Sequence, residues 1–276
     1  MEGETIESPP QLWFPTELFN PFYRNYAVLI TYQDIPWTHQ YILPIWEKAL
    51  LTVTINDGTK KWVQYLEDEG IDVFSSENNK YVPQIIITNT RNRVDEIRLE
   101  FEEENLIEKL AKLGSFVIYM PNQDSMSFVT VIDEIRQNNK FSSMMLKEIY
   151  IFGDPADTND HGRITETLVK CNDIMEQVII ITRKHYVWLL SPGSHKIYIP
   201  YYLISQDCEC VLSVITNPTG HVTINGLQDE LDPSDDLLMT TITKCEVKIC
   251  TETPMVFHLV ISPDIVNMSL YEEVDR

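Results

Sequence analysis

Residues 148–182 read EIYIFGDPADTNDHGRITETLVKCNDIMEQVIIIT, and the fold class turns on how this stretch divides. Glu148 to Phe152 and Val178 to Thr182 are apolar runs of strand length, dominated by isoleucine. Between them, Ile164, Leu168, Cys171, Ile174 and Met175 recur at helical spacing over Ile164 to Glu176. Two strands with no polar alternation are buried on both faces, and a helix linking them makes a parallel, right-handed crossover.

The same alternation extends upstream. Ser127 to Asn138 presents Phe128, Val131, Ile132 and Ile135 on one helical face, and Phe116 to Met120 is the strand before it. Val94 to Leu113 reads as a helix ended by Gly114, preceded by a strand over Ile85 to Thr88. Nearer the amino terminus, YAVLIT (Tyr26 to Thr31) is a buried strand. The cluster Trp37, Tyr41, Leu43, Ile45 and Trp46 reads as a helix or an aromatic-rich loop. ALLTVTI (Ala49 to Ile55) runs into the turn Asn56-Asp57-Gly58, a helix follows over Lys61 to Glu69, and Ile71 to Phe74 reads as a short strand.

Downstream the pattern changes. Tyr186 to Leu190 and Lys196 to Pro200 flank the turn Ser191-Pro192-Gly193-Ser194 and predict an edge hairpin, and from Cys210 onward the chain is short β-branched runs. The expected organisation is an extension over 1–25, an α/β domain over 26–205, and a β-rich extension or start of a second domain over 206–276. The expected fold class is a three-layer α/β sandwich with a mostly parallel sheet, periplasmic-binding-like or flavodoxin-like, carrying that β-rich C-terminal extension.

With 21 Lys plus Arg against 42 Asp plus Glu, the formal charge is -21, which disfavours nucleic acid and favours a protein partner or a small polar or cationic ligand. Met1 to Pro10 lacks the basic and apolar regions of a secretory signal. No apolar run approaches the roughly 20 residues a membrane-spanning helix needs, so this chain is expected not to insert into a membrane. Five cysteines cannot all pair within one chain, and Cys208-Glu209-Cys210 is too tight for a zinc knuckle.

In an open parallel sheet, ligands bind beyond the carboxyl ends of the strands, so the loops after Thr88, Met120, Phe152 and Thr182 hold the candidate site residues Asn89, Asn122, Asp124 and His185. The same Asn and Asp residues also suit helix N-caps. Neither GxGxxG nor GxxxxGK[ST] occurs, and no cofactor is expected. In Gly153 to Gly162, Asp157, Asn159, His161 and Gly162 imitate the first half of a calcium loop, but Leu168 stands where its bidentate Glu would be. Asp154, Asp157 and Asp160 are therefore only a weak candidate cation set. The six histidines show no HExxH spacing, and no GxSxG elbow is present, so no catalytic residue is assigned.

The region from Tyr81 to Cys210, with EQVIIITRKHYVWLL followed by IYIPYYLISQDCEC, resembles the amino-terminal domain of insect ionotropic receptors. The resemblance rests on Tyr198-Ile199-Pro200-Tyr201 leading to Cys208, and on Cys245 to Pro254, which looks like the first strand of that family's ligand-binding domain. It implies a receptor ectodomain on the extracellular face of the plasma membrane; without it, a cytoplasmic protein is expected. No functional residue carries over. The expected function is a non-enzymatic ligand- or protein-binding module; the alternative is an α/β enzyme acting on a small polar or cationic substrate, with a divalent metal near Asp154, Asp157 and Asp160.

Overall fold

The computed structural model describes residues 9–15, 25–31, 35, 39–89, 97–120, 128–137, 146–153, 161–175, 177–182, 184–214, 221–230 and 237–261. Contacts divide the chain into two units, Pro21–Arg183 and Met1–Asn20 together with Lys184–Arg276. The first strand, β1 (Gln11–Trp13), belongs to the second of these.

Unit Pro21–Arg183 contains, in chain order, β2 (Tyr26–Ile30), α1 (His39–Lys48), β3 (Leu51–Ile55), α2 (Gly58–Asp68), a 3-10 turn (Ser76–Tyr81), β4 (Ile85–Thr88), α3 (Ile97–Lys112), β5 (Phe116–Tyr119), α4 (Phe128–Gln137), β6 (Glu148–Phe152), α5 (His161–Asn172) and β7 (Gln177–Ile181). The strands pair in parallel in the order β7-β6-β2-β3-β4-β5. The chain lays β2 to β5 outward in one direction, then returns to place β6 and β7 on the other side of β2. Strand order therefore reverses between β2 and β6, where Tyr26 stands opposite Glu148 and Ile30 opposite Phe152.

Every residue of β2, β3 and β4 is buried, as expected of strands covered on both sides. Val131, Ile132 and Ile135 of α4 and Ile164, Leu168 and Cys171 of α5 are buried as predicted, whereas Ile174 and Met175 lie beyond the end of α5 and are half-buried. Of the cluster read as a helix or an aromatic-rich loop, Tyr41, Leu43, Ile45 and Trp46 lie in helix α1 despite the internal Pro44, which lacks an N–H for the helix ladder; Trp37 lies outside the described residues. Tertiary contacts compensate: Tyr26 donates its hydroxyl hydrogen to the Ile45 carbonyl at 2.7 Å, and Trp46 stacks on Trp62 of α2 with centroids 4.1 Å apart. Ile71 to Phe74 forms no strand. The Phe74 N–H donates to Asp72 Oδ1 at 2.9 Å, and this Asx turn diverts the backbone from an extended path.

The second unit is built from strands, with one short helix: β8 (His185–Leu190), β9 (Gly193–Tyr198), α6 (Tyr201–Ile204), β10 (Glu209–Val214), β11 (Val222–Asn225), β12 (Leu237–Thr241), β13 (Glu246–Thr251) and β14 (Met255–Val260). β8 and β9 do not pair as the predicted hairpin. β8 pairs antiparallel with β14, whereas β9 pairs with β13 and, in parallel, with β1. The turn between them thus carries the chain from one sheet, β12-β10-β14-β8, to another, β1-β9-β13-β11. The sequence explains the split: β8 is buried at five of six positions, as befits an interior strand, while β9 alternates His195 and Ile197 inward with Lys196 and Tyr198 toward solvent. Inner faces of the two sheets meet through Trp13 and Trp188, stacked at 5.7 Å, with Phe257 on the far side of Trp188 at 4.8 Å.

The chain is thus mixed α/β and rich in sheet, parallel in one unit and mainly antiparallel in the other. Along the chain the division between the units falls after Arg183, and the amino-terminal strand belongs with the carboxyl-terminal unit. Among the described residues no helix is long and apolar enough to cross a membrane.

Candidate active site

Because all six strands of the parallel unit point the same way, their carboxyl ends share one edge, and the reversal between β2 and β6 marks the point on that edge where open parallel sheets bind ligands. Three turns meet at this edge. β2 ends in Thr31, 2% exposed, whose N–H and hydroxyl both donate to the Phe152 carbonyl at 3.1 Å. β6 ends in Gly153, whose N–H donates to Ile181 O at 3.0 Å, so the ends of β2, β6 and β7 are tied in sequence. β3 ends in Asn56-Asp57-Gly58, from which α2 starts.

Two glycines let these turns approach one another. A Cβ on Gly58 would lie 2.4 Å from Ile30 O and 2.7 Å from Thr31 O, both backbone atoms that cannot step aside. At Gly153, φ is +129° and a Cβ would overlap Thr31 Oγ1. The first turn of α2 is in this way pressed against the end of β2. It is fixed from below by the buried hydroxyls of Thr54 and Thr59, 2.9 Å apart, and by Trp62, Val63 and Leu66 on its inner face.

The amino end of a helix offers unpaired N–H groups and a positive dipole end, a suitable seat for a phosphate. Here the first turn holds no acidic residue and Lys60 is exposed, which adds to that potential. Asp57, at the N-cap position, is exposed and has helical dihedrals, and its carboxylate makes no capping hydrogen bond. This edge therefore presents the exposed Asp57 carboxylate beside the amino end of α2. The close packing here does not follow a GxGxxG pattern: one glycine comes from the β3–α2 turn and the other from the end of β6. The turn Asn56-Asp57-Gly58 was the visible signal.

Of the predicted site residues, Asn89 is at this edge: its N–H donates to Asn56 Oδ1 at 3.1 Å. His185 belongs to the other unit, at the start of β8, where its ring meets His258 edge-on at 6.2 Å. Asn122, Asp124, Asp154, Asp157 and Asp160 lie outside the described residues. Among the described residues no group of three or more His, Cys, Asp or Glu side chains could hold a metal ion.

A second polar cluster lies at the opposite, amino edge. Glu47, at the end of α1, accepts hydrogen bonds from Tyr81 at 2.7 Å and Lys80 at 2.9 Å. Burial pushes the Glu47 carboxyl up, but these two bonds outweigh it and hold the group below its ordinary value. With Lys80 4.9 Å over the Tyr81 ring, the cluster is internally satisfied and serves to fasten α1 to the 3-10 turn.

The fold is similar to that of solved thiamin pyrophosphokinases. The enzyme from Candida albicans matches over 92% of this chain and 95% of its own, with a TM-score of 0.67 at 14% identity. Yeast thiamin pyrophosphokinase matches over 95% and 94%, with a TM-score of 0.66 at 14% identity. The Bacillus subtilis protein matches over 86% and 99%, with a TM-score of 0.58 at 12% identity. No protein-family model matches the chain.

These likenesses correct the receptor expectation. The structural neighbours are thiamin pyrophosphokinases rather than ionotropic receptor ectodomains, and the extracellular placement loses its ground with the resemblance. The residues that suggested it have other structural roles. Tyr198 ends β9 opposite Glu246, Pro200 is the N-cap of α6, and the segment after Cys245 is β13, an interior strand between β9 and β11. Cys208 is a free buried thiol, 3.5 Å from Val260 O. The non-enzymatic binding-module expectation gives way as well, since the proteins that share the fold across nearly the whole chain are named as enzymes.

Proposed function

We propose that the chain is an α/β enzyme that transfers a pyrophosphoryl group from a nucleoside triphosphate to the hydroxyl of a small cationic acceptor of the thiamin type. The observation that carries this reading is the likeness to thiamin pyrophosphokinases over 92% of this chain and 95% of the Candida albicans enzyme. Two features of the chain itself support it. The α2 amino end with Lys60 suits the phosphates, and a chain of charge -21 attracts a cationic acceptor.

In the proposed step the acceptor hydroxyl oxygen attacks the β-phosphorus. A new O–P bond forms, the bond between the α-phosphate oxygen and the β-phosphorus breaks, and the nucleoside monophosphate leaves. Asp57 is assigned the hydroxyl proton, its carboxylate being the described acid beside the phosphate seat. Asn89 shares the edge. Asn122 and Asp124 follow β5 in sequence, Asp154, Asp157 and Asp160 follow β6, and the second set is the proposed position for a divalent cation. A three-layer arrangement is also proposed for Pro21–Arg183; contacts of α2 with α3 and of α4 with α5 support helices on both faces of its sheet.

The test is incubation of the protein with magnesium ATP and thiamin, with thiamin diphosphate and AMP quantified by mass spectrometry. Equimolar formation of both products, lowered at least a hundredfold in Asp57→Asn, is expected. No product under conditions in which the Bacillus subtilis protein turns over would sink the reading.

A further inference from the structure

Strands β3 and β4 are cross-tied by side chains at both ends, and the two ties differ in what they hold. At the amino end, the Thr52 N–H donates to Gln84 Oε1 at 3.0 Å and the Gln84 N–H donates to Thr52 Oγ1 at 3.1 Å, a reciprocal pair away from the candidate active site. At the carboxyl end a single residue, Asn56, performs the corresponding task. Its N–H donates to Ile87 O at 2.8 Å, extending the ladder by one residue, and its Oδ1 accepts the Asn89 N–H at 3.1 Å. Its carbonyl accepts the Thr59 N–H at 3.0 Å in the first turn of α2.

Asn56 can do all three because its φ is +49°, a left-handed conformation that Asn adopts more readily than other side-chain-bearing residues. The twist redirects the chain from strand to helix while leaving the amide side chain alongside the end of β4. One residue thus links the Asp57 turn, the α2 amino end and the first residue after β4.

We infer that Asn56 is a positioning residue: it holds the turn after β3 and the turn after β4 as one rigid platform, so that Asp57, the α2 amino end and Asn89 meet a phosphate-bearing substrate in fixed geometry. The role rests on the pyrophosphoryl-transfer reading of the site. Asn56 itself touches neither the reacting atoms nor the phosphates; it acts through its neighbours.

The experiment compares wild type with Asn56→Gly, Asn56→Asp and Thr52→Ala. Asn56→Gly keeps the positive φ but lacks the acceptor, Asn56→Asp keeps the acceptor oxygen, and Thr52→Ala cuts the tie at the other end as a structural control. Amide hydrogen exchange is read at Asn89, and magnesium ATP affinity is read by calorimetry. Asn89 exchange should quicken at least tenfold in Asn56→Gly and return to the wild-type rate in Asn56→Asp. ATP affinity should fall at least tenfold in Asn56→Gly and stay within twofold of wild type in Thr52→Ala. Unchanged Asn89 exchange in Asn56→Gly, or an equal loss of ATP affinity in Thr52→Ala, would overturn the positioning role. If wild type binds no ATP, the site reading falls and the role with it; the exchange measurement then shows separately whether the tie exists.

Discussion

The Trp13 indole N–H donates to His195 Nδ1 at 3.1 Å, 182 residues away, and this bond joins β1 to β9 inside the sandwich. The other ring nitrogen, Nε2, is 2.7 Å from the Ser191 carbonyl and donates to it. The two partners together select the neutral tautomer, protonated at Nε2 and accepting at Nδ1. Protonating Nδ1 would set two donors against each other in a site where His195 is 2% exposed.

The His195 pKa is accordingly lowered, with burial the larger influence and the Ser191 carbonyl opposing it. Above about pH 6.5 the ring is neutral in both folded and unfolded chains and contributes no pH dependence. Below it the unfolded chain takes up the proton first, so stability falls with pH until the lowered folded-state pKa is reached. Urea midpoints measured from pH 8 to pH 5 should fall less steeply in His195→Gln than in wild type. Equal slopes would show that His195 does not titrate differently on folding.

Trp13→Phe keeps the stacking on Trp188 but removes the donor, leaving His195 Nδ1 buried and unsatisfied. The expected loss is about 1–3 kcal/mol in urea unfolding, and a loss below about 0.5 kcal/mol would mean the bond contributes little.

Gly153 and Thr31 should be energetically coupled. Gly153→Ala places a methyl on Thr31 Oγ1 at a φ of +129°, and a loss of more than about 3 kcal/mol is expected from clash and backbone strain together. Thr31→Ala removes the clashing oxygen but not the strain, so the double variant should be more stable than the two single losses predict, by at least about 1 kcal/mol. Strict additivity in a double-mutant cycle would contradict the contact.

The cysteines should divide two against three. Cys171, Cys208 and Cys210 are buried, and burial pushes each thiol up to about 12, whereas Cys245 and Cys250 are exposed. An aromatic disulfide reagent at pH 8 should titrate two thiols rapidly in the native protein and all five in guanidinium. Fast reaction of a third native thiol would place one of the buried set within reach of solvent.

Much of the parallel unit is legible in the sequence because burial on two faces leaves a local mark: IIIT, EIYIF and QVIII carry no polar alternation, and the α4 and α5 stripes recur at helical spacing. Such local patterns fix which segments are strands and helices, but not which strands become neighbours. That β6 returns to lie beside β2, and that β8 and β9 part to different sheets across a turn that reads as a hairpin, depends on contacts between residues far apart in sequence. The candidate active site has the same origin. Asn56-Asp57-Gly58 is visible as a turn, but only the folded chain sets Gly58 and Gly153 on either side of Thr31, because the close packing that demands both glycines exists only once the strand order reverses between β2 and β6.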